Sequence, residues 1–596
     1  MKEHIAHMIR DRAARYGSRE VFRYRESIGG SFKSYTWNEF TRDADRVSRA
    51  LISLGFGHES LIGIFSDNRL EWTITDIGIL GIRGVVVPFF GTASRSQVKY
   101  IVDETEMKLM FVGNKEQFEK AIWLLDHSGS LKRIVIFQDG TETTDERCIT
   151  WENFLKLGDD PLFSEELEQL YDQAQPFDLA TILYTSGTTG EPKGVMLGHD
   201  NFMECFAIHD NRLDITDQDV SMCFLPLSHI FERTWTFYLM YCGAVNVFLE
   251  NPREVISVML IANPTVMCTV PRFFEKTYEG IQVETAKWPK VKKNIFDWAI
   301  AVGHQCNEYR SKSMDLPSGL KFKRNVAEKL VLKKLRNVFG KNIRQMPCAG
   351  AAIREDLLRF FHATGLFVTY GYGATETTAT VSCFKNEWYE FESCGTVMPG
   401  LAVKFSEEGE IMVKGPTVFR GYYKKPEETA KALKDGWYMT GDEGHFTSDG
   451  NLVMSDRIKD LFKTSVGKYV SPQKLELLLG QEKLIEQVIV VGDNRKYVSA
   501  LIVPSFEHLK SVAEKLGVDT TDRKILTSHP AILKLFQVKL DQIQADVTPY
   551  ERVVKFTLLA EPFSVENSAM TSTLKLRRKV IAEQYVELIE LMYSAG

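Results

Sequence analysis

LIGIFSDNRLEWTITDIGILGIRGVVVPFF, residues 61–90, decides the fold class. Two short β-branched runs, 61–65 and 84–90, flank a segment with helical periodicity. Parallel strands need a long crossover between them, and a helix supplies it. The unit then repeats through KLMFV (108–112) and RIVIF (133–137), each preceded by a helical stretch. The pattern resumes after Ala180 with TILYTS, MCFLPL, AVNVFL, TVMCTV and LFVTYG as strand candidates. A large α/β body is therefore expected to run to about residue 400.

Near Gly395 the texture shifts to short alternating strands with tight turns, as in GEIMVKGP (409–416) and HFTSDGNLVMSD (445–456), where Asp449-Gly450 signals a hairpin. After Arg457 comes a compact α+β texture, with VIVVG and SALIVPS as strands and a charged C-terminal helix. The expected division is residues 1–456 and 457–596.

Composition narrows the function classes. A chain of 596 residues exceeds one ordinary core. With 44% hydrophobic and 26% charged residues it reads as soluble and globular, and a net charge of −6 gives no reason to expect a nucleic-acid partner. Nine cysteines show neither a CxxC pair nor metal-ligand spacing, which suits reduced thiols in the cytoplasm. MKEHIAHMIRDRAARYG has no apolar core for a secretory signal, and the apolar stretch 235–245 is too short for a bilayer span.

TSGTTGEPKG (185–194) places three glycines, four hydroxyls and one lysine in ten positions. Glycines expose backbone N–H groups to polyphosphate, hydroxyls add donors, and Lys193 adds a cation. It is not a Walker A loop, since Pro192 and Gly194 stand where glycine and a hydroxyl residue would be required.

The longer string YTSGTTGEPKGVMLGHDN (184–201) resembles the signature of the AMP-forming adenylate enzymes, the superfamily of acyl-CoA synthetases, peptide-synthetase adenylation domains and firefly luciferase. The resemblance extends over nearly the whole chain, most weakly before residue 60. It implies an α/β fold: a large N-terminal domain of βα-layered sheets with a small β-barrel-like part, and a small mobile α+β C-terminal domain. It also implies ATP, Mg²⁺ and coenzyme A as cofactor and cosubstrates. Thr185, Ser186, Gly187, Thr188, Thr189, Gly190 and Lys193 would then form the phosphate loop.

The remaining motifs follow in order. CAGAAI (348–353) resembles the family turn that lies along adenine, with Gly350 and Ala351 at those positions. TYGYGATETT (369–378) resembles the YGxTE motif: Tyr372 stacks on adenine, Gly373 and Ala374 follow it, Thr375 lies near the α-phosphate, and Glu376 is the Mg²⁺ ligand, with Thr185 as second oxygen. Asp442 would accept from the ribose hydroxyls, with Arg457 beside it. Lys459 falls at the family hinge, and Gly467 in the loop that forms the pantetheine tunnel. TSTLKLRRKV (571–580) offers Lys575, in preference to Lys579, as the lysine that bridges carboxylate and α-phosphate.

LPLSHIFERTW (225–235) places His229 where the family sets a histidine beside the carboxylate and tunnel entrance, and the string resembles that of the long-chain fatty acyl-CoA synthetases. The segment KNIFDWAIAVGHQCNEYRS (293–311) resembles their insertion. The expected reaction is acyl-AMP formation from a fatty acid and MgATP, then transfer to coenzyme A. Transfer to an acyl carrier protein is the alternative, and a non-catalytic nucleotide- or lipid-binding relative is the reading from another class. Residues 321–344 form a basic amphipathic helix candidate with Leu330, Leu335 and Val338 near helical spacing. It is expected as a solvated face packed on the body, with peripheral membrane contact or the CoA phosphates as alternatives. Acyl chain length and oligomeric state do not follow from the sequence.

Overall fold

The computed structural model of the chain describes residues 4–594, apart from 26–28, 139, 142, 186–190, 387, 458–460, 466–467 and 572–574. The opening βα units form the heart of a seven-stranded sheet. Its order is Cys148–Thr150, Arg133–Ile136, Leu109–Val112, Leu61–Phe65, Val85–Phe89, Leu179–Thr185 and Lys193–Gly198. Every neighbouring pair is parallel except the last, which is antiparallel. Val85–Phe89 is buried at all five positions, as a strand covered on both faces must be.

A second sheet joins Val220–Cys223, Val245–Phe248, Glu20–Tyr24 and Lys33–Thr36. A third begins with the parallel pair Gln345–Cys348 and Phe367–Tyr372. TVMCTV forms no strand of its own; it touches this pair only through single bridges, Val266 to Gln345 and Thr269 to Cys348. The predicted turn-rich region forms an antiparallel five-stranded sheet around Trp437–Phe446, the β-barrel-like part. Beyond it, Ile485–Val491, Val498–Pro504 and Val553–Leu558 make a separate three-stranded sheet. Its apolar clusters, spanning Phe462 to Met592, share no residue with the N-terminal clusters.

One buried ion pair locks the site's scaffold. Arg233 and Asp76 are both fully buried; the guanidinium donates to the carboxylate at 2.5 and 2.8 Å and to the Thr181 hydroxyl at 2.7 Å. Helix Ile230–Cys242 is thereby tied to the strand that leads into the glycine-rich loop.

The basic stretch is not one uniform helix. Ser318–Ala327 is α-helical, Glu328–Leu332 is a π turn, and the chain then continues through Lys333–Arg336 and a 3₁₀ turn to Asn337–Phe339. The π turn shifts the register by a residue, so Val331, Leu332 and Leu335 are buried while Leu330 faces water. Among the described residues no helix is long and apolar enough to cross a membrane.

Candidate active site

Strand ends bring the sequence motifs together. Leu179–Thr185 pairs with Lys193–Gly198 so that Thr185 stands opposite Lys193, which makes the two flanks of the glycine-rich loop ladder neighbours. Ser186, Gly187, Thr188, Thr189 and Gly190 themselves lie outside the described residues, as do Lys459 and Gly467. The Lys193 ammonium pairs with Glu428 and lies 5.2 Å from the centre of the Tyr422 ring. Lys193, seconded by Lys431, holds the Glu428 carboxyl down to about 2.

Because Gln345–Cys348 and Phe367–Tyr372 run parallel, the turns after them leave at the same edge. Gly350 adopts φ +91°, a conformation that strains any side chain, and Ala351 follows it. At Gly373 a Cβ would fall 1.6 Å from the Ala379 carbonyl oxygen, so the backbones approach too closely for any other residue. Ala374 then precedes the short turn Thr375–Thr377. Thr378 (φ 50°) and Ala379 (φ 83°) are consecutive non-glycine residues in the left-handed region, a strain supported by the Thr378 hydroxyl donating to Thr417 O at 2.7 Å.

The Tyr372 hydroxyl donates to Asp442 Oδ2 at 2.5 Å. Asp442 faces Arg457 across an antiparallel ladder, with Arg457 Nε 3.2 Å from Asp442 Oδ1. Burial first, and the Asp442 charge second, push the Tyr372 phenol up, so it remains a donor.

Glu376 Oε1 accepts from the Tyr422 hydroxyl at 2.9 Å, and its backbone carbonyl accepts from Phe419 N at 2.8 Å. Tyr423 N donates to Gly194 O, and Met196 N to Gly421 O. Residues 419–423 thus stitch the exit strand of the glycine-rich loop to the carboxylate of the YGxTE-like motif. Sequence reasoning passed over Tyr422 and Glu428; the available signal was the aromatic pair in FRGYYKKPEET (419–429). Glu376 and the Thr185 hydroxyl are hard oxygen donors. Among the described residues no cluster of three or more His, Cys, Asp or Glu could hold a metal. Oxygen donors of this kind are the type Mg²⁺ takes, with phosphates completing its shell.

His229 caps helix Ile230–Cys242, its Nδ1 accepting from Phe231 N at 3.2 Å. Burial, then the nearby Lys575 charge, lower it to about 4, so the imidazole is neutral near pH 7. Three residues on, the fully buried Glu232 accepts from Leu225 N at 3.1 Å and from the Cys268 thiol at 3.3 Å. Burial pushes its carboxyl up to about 8, which makes it a neutral brace for the His229 loop. The sequence reading did not single it out, since only burial separates it from a surface glutamate.

Lys575 enters from the C-terminal region. Its backbone is looped onto Thr571, whose N–H donates to Lys575 O at 2.8 Å. The side chain is exposed to water, as Lys579 is, but many protein atoms crowd around it. That crowding lowers its pKa first and Arg457 lowers it further, against the opposing pull of Asp442 and Glu376. Lys575 is thus within electrostatic reach of His229, Glu376, Asp442 and Arg457 together. Lys579 lies exposed on helix Arg578–Gln584.

The AMP-binding enzyme family matches residues 9–423, and the AMP-binding enzyme C-terminal domain matches 459–596. Long-chain-fatty-acid–CoA ligase 5 of Rattus norvegicus is 31% identical, covering 94% of this chain and 85% of its own. Long-chain-fatty-acid–CoA ligase FadD15 of Mycobacterium bovis is 30% identical, covering 96% and 94%. In fold, the A domain of carboxylic acid reductase from Segniliparus rugosus, solved with AMP and a co-purified carboxylic acid, superposes with TM-score 0.73 over 99% of this chain and 94% of that one, at 20% identity. The chain therefore belongs to the AMP-binding enzyme family, among its AMP-forming acid–thiol ligases and alongside the long-chain-fatty-acid–CoA ligases.

Proposed function

We propose that the chain joins a fatty acid to coenzyme A through an acyl-adenylate. One observation supports this reading: Lys575 lies within electrostatic reach of His229, Glu376, Asp442 and Arg457. In the first half-reaction a carboxylate oxygen attacks the α-phosphorus of ATP, and pyrophosphate leaves. Both reactants are anions, and the Lys575 ammonium offsets their repulsion as the bond forms. The adenosine would lie between the Gly350–Ala351 turn and the Tyr372 ring, with its ribose hydroxyls donating to Asp442 beside Arg457. Glu376 and Thr185 would hold Mg²⁺, which supplies charge neutralisation on the phosphates. Neutral His229 bounds the carboxylate end without adding charge there.

In the second half-reaction the CoA sulfur attacks the acyl carbon, and AMP leaves with the electron pair of the broken C–O bond. The division into residues 1–456 and 457–596, with a hinge near Lys459, is part of this proposal. The separate apolar clusters of the C-terminal region support it. Fatty acid as substrate and coenzyme A as acceptor draw support from the curated relatives' names.

The test is AMP release scored over a panel of acids from acetate to oleate, with free CoA and with a holo-acyl carrier protein as acceptors. CoA-dependent release that rises with acyl length is expected. Release supported only by the carrier protein would shift the acceptor, and release with no acid in the panel would overturn the reading.

A further inference from the structure

We propose that Asn68 is a positioning residue for the acid side of the site, its side chain fixing the turn that presents His229. This deepens the reading of His229 as the boundary of the carboxylate end, and it rests on that reading. The turn needs partners from outside. Strand Val220–Cys223 ends before it, and Pro226 has no N–H with which to continue a ladder. Backbone groups that leave water still require hydrogen bonds. In LPLSH (225–229) side chains supply them.

Asn68 is 6% exposed and stands between strand Leu61–Phe65 and helix Leu70–Gly81. Its Nδ2 donates to Leu225 O at 2.6 Å, and its Oδ1 accepts from Leu227 N at 2.9 Å. One planar amide thus engages the peptide groups on both sides of Pro226. The two partners also fix which way the amide faces, because a carbonyl needs a donor and an N–H needs an acceptor. The buried Glu232 completes the set, accepting from Leu225 N at 3.1 Å. Beyond these anchors the turn closes on itself. His229 N donates to Pro226 O at 2.9 Å, and His229 O accepts from Arg233 N at 3.1 Å. The Phe90 ring, just past strand Val85–Phe89, lies 6.4 Å from the imidazole, centre to centre.

The adjacent Asp67 serves a different loop, accepting from Gln117 Nε2 at 3.1 Å and Asn114 Nδ2 at 3.0 Å. Asp76, on the helix that follows Asn68, holds Arg233. Asn68 and Asp76 therefore grip the segment 225–233 near its two ends, with His229 between them. Only two residues separate the Asn68 anchor at Leu227 N from His229. A turn released there displaces the imidazole, and a small misplacement beside reacting groups is costly. The nucleotide side is held by other bonds, chief among them Tyr372 to Asp442. Loss of Asn68 should therefore be felt by the acid and not by ATP.

The test measures acid-dependent ATP–pyrophosphate exchange in the wild type, Asn68→Ala, His229→Ala and the double variant, with fatty acid and ATP varied in turn. KM is the readout because it does not depend on the fraction of chain that folds. Asn68→Ala removes two hydrogen bonds and is expected to raise the KM for fatty acid about tenfold, with the KM for ATP within about twofold of the wild type. In the His229→Ala background the same substitution should change the fatty-acid KM less than about twofold, since both residues act through one side chain. Asn68→Leu keeps the volume without either polar atom and is expected to match Asn68→Ala. An unchanged fatty-acid KM in either Asn68 variant, an equal rise in both KM values, or additive effects in the double variant would overturn the inference. A wild type without acid-dependent exchange, or His229→Ala with an unchanged fatty-acid KM, would overturn the underlying reading and the inference with it.

Discussion

The Tyr372 phenol and the Asp442 carboxylate are joined by a 2.5 Å hydrogen bond that links the end of a parallel strand pair to the central strand of the β-barrel-like sheet. The residue proposed to stack on adenine and the residue proposed to hold the ribose are thus positioned by each other. Tyr372→Phe keeps the ring and removes the donor, so the KM for ATP should rise about tenfold with a smaller change in kcat. Asp442→Ala should cost more, since it also releases Arg457. Steady-state kinetics with ATP varied check this; a Tyr372→Phe enzyme with unchanged KM would show that the bond does not order the nucleotide site.

Lys575 reaches the cleft from the C-terminal region and bears on adenylation alone in this account. Lys575→Ala should lower acid-dependent ATP–pyrophosphate exchange on the order of 10²–10³-fold. The same variant should still transfer the acyl group from preformed acyl-AMP to CoA at close to the normal rate. Equal loss of both half-reactions would remove the assigned role.

Glu232 makes a prediction about stability. Its carboxyl titrates at about 8 in the folded protein, against an ordinary value near 4.5. The folded state keeps the proton across that window while the unfolded state has lost it. The contribution is therefore complete below about pH 4.5 and lost as pH rises toward about 8, on the order of a few kcal/mol in all. Glu232→Gln cannot ionise, so its melting temperature should gain on the wild type as pH rises from about 5 to 8.5. Parallel melting curves across that range would contradict the neutral-brace assignment.

Asp76 and Arg233 are fully buried against each other. Asp76→Asn strands a guanidinium in the core and should destabilise the chain by about 3–5 kcal/mol in urea unfolding. Replacing both residues with apolar ones of similar volume should cost much less. Equal costs would mean that the pair acts through packing and not charge.

Much of this was legible in the sequence because it depends on local pattern. The βα alternation from Leu61 is periodic, and the short motifs around Gly350, Tyr372, Asp442 and Lys575 carry their chemistry in contiguous residues. What escaped depends on distant partners. Tyr422 matters because residues 419–423 bridge Gly194 and Glu376, a contact that neither segment encodes alone. Glu232 matters through burial beside Cys268, which its own sequence neighbours do not announce. The outward turn of Leu330 follows from a π turn that shifts the helical register the pattern assumes.

The central claim, that this cleft makes an acyl-adenylate, is tested most directly by ATP–pyrophosphate exchange with the purified chain, with and without a long-chain fatty acid and with no CoA present. Exchange that requires the fatty acid and disappears in Lys575→Ala is the expected result. Absence of acid-dependent exchange in the wild-type chain would contradict it.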